Sequence, residues 1–349
     1  MIETIAQTVL NQAVRFGTSD IHFLPNKDDY HIFFRMNGQL EFIQSLSIDE
    51  GKRLISYFKY LANMDTGEKR KPQSGASDYI LRDGQRIELR FSTLPSVLLL
   101  ESLVIRILKQ QFKENQTLAT YFPNMVAVLR HLVGRKSGLL LFSGPVGSGK
   151  TTTIYQLLRE RLHDESLQII TMEDPVEMYE SKFLQVEVNE RAGIGYDTII
   201  RASLRHHPDV LMIGEIRDED TARMAIRGAL TGHLMIATIH AKNTLGVVGR
   251  LQELQITDEQ LRQTLIGIST QRLIPRYCPR CNGACHFDCQ YYAGHQKRMA
   301  LFEILTGKEL KAVLDGNMLT NMKTLNHHLR KAYALGYIDE KTYDKFEMV

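Results

Sequence analysis

Outside one short stretch the chain has no cysteine: all four fall between Cys278 and Cys289 of 349 residues. That placement excludes a disulfide framework spread over a secreted fold. No uninterrupted apolar run reaches the length that a bilayer span needs. An excess of one charge sign is also missing, since 43 basic and 40 acidic residues leave a formal net charge of +3. So small a balance does not mark a dedicated nucleic-acid or heparin surface. The opening segment, Met1 to Val14, lacks the basic-then-apolar layout of a signal peptide. Its Ile2, Ile5, Ala6, Val9, Leu10 and Ala13 instead share one face of an amphipathic helix. These absences predict a cytoplasmic protein with at most peripheral membrane contact. A hydrophobic content of 43% can fill two cores, and the length suggests two or three domains.

What is present centres on Leu139 to Thr153. The apolar run Leu139-Leu140-Leu141-Phe142 leads into Gly144-Pro145-Val146-Gly147-Ser148-Gly149-Lys150-Thr151-Thr152, and Ile154, Leu157, Leu158 and Leu162 follow at helical spacing. Strand, phosphate loop and helix are predicted. The glycines let the backbone curl so that N–H groups point at a triphosphate, and the helix adds its positive N-terminal end. Lys150 is expected to neutralise the β- and γ-phosphates and Thr151 to ligate Mg²⁺, which makes a nucleoside triphosphate with Mg²⁺ the expected ligand.

Before this loop, the alternating runs Tyr30 to Met36 and Gln39 to Ile43 flank Asn37-Gly38, a strong hairpin signal. A helix is expected from near Asp49, then a second hairpin (Asp78 to Leu81, Arg86 to Ser92) and a strand over Leu103 to Leu108. Hairpins mixed with helices predict an α+β domain over residues 1–108. The polar segment 109–122 is expected to be a linker. Residues 123–274 repeat a pattern of apolar strand followed by polar residues. Gln168 to Met172 leads into Glu173-Asp174-Pro175, Val210 to Ile213 into Gly214-Glu215, and Leu234 to Ile239 into His240. Intervening helices predict a parallel sheet whose ligands collect at the carboxyl ends of its strands.

Phosphoryl transfer needs Mg²⁺, an oriented water and positive charge more than covalent participation by the protein. Glu215 is placed to hold magnesium through water or to polarise the attacking water; taken alone, an exposed strand-end carboxylate is the commoner reading of such a residue. Three carboxylates around one proline, Glu173, Asp174 and Glu177, repel one another unless a cation is near, which favours a metal-water role. His233 and His240 flank one predicted strand and both reach its nucleotide-side loop only if the strand is short. Arg201, Arg205 and Arg217 are candidates for phosphate or intersubunit contacts, or form a solvated helix face. Lys69-Arg70-Lys71 is expected to be a solvated loop.

Cys278, Cys281, Cys285 and Cys289 are separated by two, three and three residues, with Pro279 and Gly283 permitting tight turns. Four thiolates at this spacing converge on one tetrahedral ion, for which zinc is the default in a reducing compartment. The metal-binding loop is expected over 275–300, with a C-terminal helical part over 301–349.

The phosphate loop, ITMEDPVE (Ile170 to Glu177), HPDVLMIGEIRDEDTA (His207 to Ala222) and TGHLMIATIHA (Thr231 to Ala241) together resemble the secretion-superfamily ATPases, hexameric motors of type II secretion and type IV pili. SDIHF (Ser19 to Phe23), RMNG (Arg35 to Gly38), LRFSTLP (Leu89 to Pro95) and LVIRIL (Leu103 to Leu108) match that family's second N-terminal domain. The resemblance implies a PAS-like α+β domain followed by a RecA-like P-loop ATPase domain with a mostly parallel sheet. Glu215 is then the Walker B glutamate, and one glutamate of the aspartate box (Glu173, Asp174, Glu177) the general base. His233 and His240 belong to the histidine box, and Arg90 and Arg106 act as charge-stabilising fingers.

The chain departs from the family pattern at Asn37, at Leu100 where a second glycine often precedes the glutamate, and at Lys297-Arg298 before the last strand. The cysteine cluster is typical of assembly ATPases and usually absent from retraction motors. The short form, starting at the second N-terminal domain, is similar to the competence-pilus ATPases of Gram-positive bacteria, which support DNA uptake. The expected function is therefore a homohexameric motor working on a polytopic membrane platform protein, with no direct nucleic-acid contact. A type II secretion or retraction ATPase, a DNA-stimulated RecA-like translocase and a nucleotide-binding regulator are the alternatives.

Overall fold

The computed structural model describes residues 2–108, 118–189, 192–292, 297–317 and 322–348. Most of the expected linker, residues 109–117, lies outside them. Contacts divide the chain into two compact units, Met1–Phe112 with His286–Gln290, and Lys113–Cys285 with Tyr291–Val349.

The first unit runs α1 (Ile2–Arg15), β1 (Asp20–Pro25), β2 (Asp29–Met36), β3 (Gln39–Ser47), α2 (Ile48–Leu61), β4 (Gln73–Ile80), β5 (Arg86–Pro95) and β6 (Glu101–Leu108). Its strands form one antiparallel sheet in the order β3-β2-β1-β6-β5-β4. Asn37 and Gly38 both take positive φ, 53° and 84°, as the tight β2–β3 turn requires. Ser47 and Glu50 close a reciprocal capping box that starts α2. Burial alternates along the strands, so that Tyr30, Ile32, Phe34 and Met36 of β2 share one core with Ala6, Leu10, Leu54 and Phe58 of the helices. Within this core Lys59 is fully buried. Its Nζ lies 2.7 Å from Glu101 Oε1 and donates to the Glu68 carbonyl at 2.6 Å.

The second unit carries α3 (Pro123–Val133), β7 (Gly138–Ser143), α4 (Lys150–Asp164), β8 (Ile169–Glu173), β9 (Leu184–Glu187), α5 (Tyr196–Ser203), β10 (Val210–Ile213), α6 (Glu219–Leu230) and β11 (Leu234–Ile239). It continues with α7 (Thr244–Glu253), α8 (Asp258–Thr264), β12 (Leu265–Pro275), the short pair β13 (Tyr277–Cys278) and β14 (Gly283–Ala284), and β15 (Arg298–Thr306). Three helices end it: α9 (Gly307–Leu314), α10 (Leu325–Ala334) and α11 (Glu340–Phe346). The seven-stranded sheet runs β15-β12-β7-β11-β10-β8-β9, parallel throughout except for β12 against β15. Every residue of β7, β8, β10 and β11 is buried, the pattern of strands covered on both faces. The last strand, β15, completes the sheet at the opposite edge from β9 before the helical end begins. This is the mostly parallel sheet expected from the strand and helix pattern, in the RecA-like architecture that the family resemblance implies, preceded by the expected α+β unit.

Candidate functional site

Because β7, β11, β10 and β8 are adjacent and parallel, the loops after all four emerge at one edge of the sheet. The sequence places its polar residues at these strand ends. Side chains and backbone stitch the loops together: Ser143 Oγ donates to the Ala241 carbonyl at 3.0 Å and accepts from Ala241 N at 3.1 Å. Thr238 Oγ1 donates to the Gly214 carbonyl, and Gly214 N donates to the Met172 carbonyl at 2.7 Å.

The phosphate loop shows why glycine is needed at its start. Gly144 has φ 145°, and a Cβ there would sit 2.4 Å from the Gln271 carbonyl and 2.8 Å from Ser148 Oγ. Gly149, with φ 82°, opens α4 in the left-handed region, and no side chain caps that helix, in contrast to α2, α6 and α7. Ser148 Oγ is buried without a hydrogen-bond partner among the described residues. Uncapped first-turn amides, an orphaned hydroxyl and a cradle that a Cβ would fill fit a bound phosphate chain. Lys150 Nζ folds back onto the loop, donating to the carbonyls of Gly144 at 2.9 Å and Pro145 at 3.2 Å. Burial pushes its ammonium below the ordinary value; Glu215 opposes the shift, Arg272 adds to it, and Glu177 opposes it. Lys150 therefore lies in the electrostatic reach of two strand-end carboxylates. Thr151 is half-buried on the first turn of α4, while Val146 and Thr152 are exposed.

Glu215 follows β10 and is the centre of a charged chain. Arg217 Nε donates to its Oε2 at 2.7 Å, His240 Nε2 lies 3.2 Å from its Oε1, and Arg217 Nη1 lies 3.4 Å from Asp174 Oδ2. Of the three arginines singled out from the sequence, Arg217 joins the site. Arg201 makes a loose exposed pair with Asp197, and Arg205 is exposed. His233 does not join it. It precedes β11, its ring faces Thr231 Oγ1 at 3.1 Å, and His240 lies a strand's length away, roughly 20 Å along the chain direction.

The three carboxylates of the Glu173 to Glu177 segment differ in exposure. Glu173 is buried at the end of β8, accepting hydrogen bonds from Tyr155 Oη and from Thr171 Oγ1 at 2.7 Å, with Gln185 Nε2 at 3.4 Å. Burial pushes its carboxyl above the usual range, those three hydrogen bonds oppose the shift, and the charge of Glu177 adds to it. Asp174 and Glu177 are exposed. Arg90 and Arg106 belong to the first unit, directly opposite each other on β5 and β6; Arg106 Nε donates to Asp20 Oδ1 at 2.9 Å.

Two residues had no role assigned from the sequence. Gln271 Nε2 donates to the Ser148 carbonyl at 2.7 Å, and Arg272 Nη1 lies 3.3 Å from the position of a Cβ on Gly144. They sit on β12, whose Thr270 pairs with Ser143 at the end of β7, so the strand runs on beside the phosphate loop. The available signal was a polar run, Ser269-Thr270-Gln271-Arg272, inside an otherwise apolar central strand.

In the cysteine loop, β13 and β14 pair Cys278 with Gly283. The four sulfurs lie within 4.8 Å of one another, and the cysteines form no disulfide. Four sulfurs each about 2.3 Å from one zinc ion stand about 3.8 Å apart, so the set fits a closed tetrahedral site. These four form the candidate metal cluster found among the described residues.

A phosphate loop at the carboxyl edge of a mostly parallel sheet, faced by Glu215 and Glu177, defines a P-loop ATPase, an ATP hydrolase. Residues 1–341 match the family described as Type II/IV secretion system protein, and the chain belongs to that family. It is 43% identical over 343 residues to the competence protein ComGA of Halalkalibacterium halodurans, covering 97% of each chain. It is 38% identical over 349 residues to ComGA of Bacillus subtilis, covering 99% of this chain and 98% of the relative. Its fold is similar to that of the Legionella pneumophila ATPase DotB, with a TM-score of 0.76 at 19% identity, covering 98% of this chain and 95% of that one.

Proposed function

We propose that this ATPase powers assembly of a competence type IV pilus that supports DNA uptake, as a cytoplasmic homohexamer acting on a polytopic membrane platform protein and held peripherally at the membrane. The observation that carries this is near-complete coverage, at 38% and 43% identity, by relatives named as competence proteins. Lys150 and the backbone of Gly144 to Thr151, with Thr152, hold the triphosphate. Thr151 and Glu215 hold Mg²⁺, which supplies charge neutralisation on the phosphates.

Glu177 is the better general base of the two glutamates. It is exposed and within the field of Lys150, whereas Glu173 has its carboxyl engaged by Tyr155 and Thr171 away from water. Glu173 is accordingly a positioning residue that ties α4 to the end of β8. His240 and Arg217 orient Glu215. Arg90 and Arg106 are assigned to charge stabilisation by the family resemblance. Zinc in the four-thiolate loop is structural. No helix among the described residues is long and apolar enough to cross a membrane, which fits a peripheral motor.

The test is Lys150→Ala. ATP hydrolysis is expected to fall at least about 100-fold, and cells carrying it to lose pili and DNA uptake together. Surface pili at normal or raised number in that strain would exclude an assembly motor, raised number pointing to retraction. Stimulation of wild-type turnover by single-stranded DNA would favour a translocase.

A further inference from the structure

The turn joining β5 to β6 is unusually apolar for an exposed turn. Val97, Leu98 and Leu99 are 98%, 46% and 88% exposed, and Leu94, near the end of β5, is 56% exposed. Leu99 has φ 56°, a left-handed backbone that crowds the Cβ of a bulky L-residue against its own carbonyl oxygen. A glycine or asparagine would hold this turn more cheaply, and the folded unit recovers nothing by burying Leu99. An aliphatic side chain kept in a strained, exposed position points to a contact outside the chain.

A second feature stands at the same end of the sheet. Gln73, the first residue of β4, pairs with Thr93, and Pro95 pairs with Glu101 across the base of the turn. The segment entering β4 therefore ends at the same end of the sheet as the apolar turn. Lys59 Nζ fastens the two, touching the Glu68 carbonyl and the Glu101 carboxylate. Lys69, Arg70 and Lys71 in that segment are all exposed. Its acidic side chains are turned onto the segment's own amides: Asp65 Oδ1 accepts from Gly67 N at 2.8 Å, and Glu68 Oε1 accepts from Arg70 N at 2.6 Å. The cations face solvent beside an aliphatic tip.

We infer that this end of the first unit is a lipid-binding spike, its Val97-Leu98-Leu99 tip entering an anionic bilayer surface while Lys69, Arg70 and Lys71 contact the headgroups. Aliphatic tip and flanking cations are complementary to acyl chain and anionic headgroup respectively. A second copy or another protein is a poorer occupant, because four aliphatic side chains cover only part of the about 800 Å² that each partner of a stable complex contributes. The spike rests on the peripheral membrane placement proposed above but not on ATP hydrolysis or on any platform protein.

The test is sedimentation of the full-length protein with protein-free vesicles, either phosphatidylcholine alone or mixed with phosphatidylglycerol, at low and high salt. Binding only to the anionic vesicles, weakened by salt, is expected. The variant V97S/L98S/L99G should lose about tenfold or more in vesicle affinity, with ATP turnover unchanged and thermal stability equal or higher because the strain at position 99 is relieved. K69A/R70A/K71A should lose the anionic preference. Equal binding to both vesicle types, or unchanged vesicle binding by the tip variant, overturns the spike. A tip variant that binds vesicles normally but loses its oligomeric state or its cellular membrane fraction assigns the tip to protein contact instead. Wild-type protein that hydrolyses ATP and supports pili yet ignores vesicles also overturns the spike while leaving the motor intact.

Discussion

The two sheets of the chain handle burial in opposite ways. In the seven-stranded sheet, β7, β8, β10 and β11 are buried at every position, so polar chemistry is pushed to the loops beyond the strand ends. In the six-stranded sheet, burial alternates, and charged residues such as Glu88, Arg90 and Arg106 occupy the strands themselves. Both units bury acids, and Glu101 of the first and Glu173 of the second are accommodated by different means. Glu101 is matched by the ammonium of Lys59, whereas Glu173 has only neutral hydrogen-bond donors and its carboxyl is pushed upward by burial. Function concentrates at an edge where strands are covered on both faces, and spreads over a face where they are not.

The comparison is sharpened most by separating the two glutamates that flank Pro175. Glu177→Gln is expected to slow hydrolysis about 100-fold or more. Glu173→Gln, which keeps the shape and an acceptor oxygen for Tyr155 and Thr171, should leave turnover within a few-fold of wild type, measured as steady-state phosphate release. A larger loss at Glu173 than at Glu177 would exchange their roles. In the other unit, Lys59→Met strips the partner from a buried carboxylate and should cost about 3–5 kcal/mol in chemical unfolding. Far-UV circular dichroism is a suitable readout, since the chain has no tryptophan. Adding Glu101→Leu to that variant should recover most of the loss, because both charges are then gone. Loss without recovery would show that the pair does more than neutralise itself.

The smallest expected effect concerns a third buried titratable group. His328 on α10 is 5% exposed, packs against Phe122, and has no hydrogen-bond partner on either ring nitrogen among the described residues. Burial lowers its value from 6.5 to about 4, and His327, Lys323 and Lys331 push the same way. The unfolded chain then binds a proton more readily than the folded one. Stability contributed by neutral His328 should be present above pH 6.5 and be lost progressively as pH falls toward about 4. His328→Leu should flatten that part of the melting-temperature profile; an unchanged profile would place the acid sensitivity elsewhere.

Much of this was legible in the residues. The β2–β3 hairpin follows from Asn37-Gly38 between alternating runs, and β11 matches its predicted span because a run of five apolar residues and one threonine lies between His233 and His240. β9 was not predicted: Leu184 to Glu187 is short and mixed in polarity, and pairing with β8 is what makes it a strand. Gln271 and Arg272 went unassigned because the contact with the phosphate loop spans more than a hundred positions in sequence, and only the pairing of β12 with β7 brings them together.

By itself, the amino-acid sequence determined the class of the protein. Phosphate-loop glycines, strand-end carboxylates and clustered thiols are local patterns, each tied to backbone conformation or ligand chemistry over a few residues. Tertiary structure decided how the candidates divide. It turned Glu173 inward and left Glu177 exposed, put His240 beside Glu215 and His233 at the far end of the strand, and set a basic segment next to an apolar turn. Those outcomes depend on solvent access and on neighbours distant in the chain, and spacing along a sequence encodes neither.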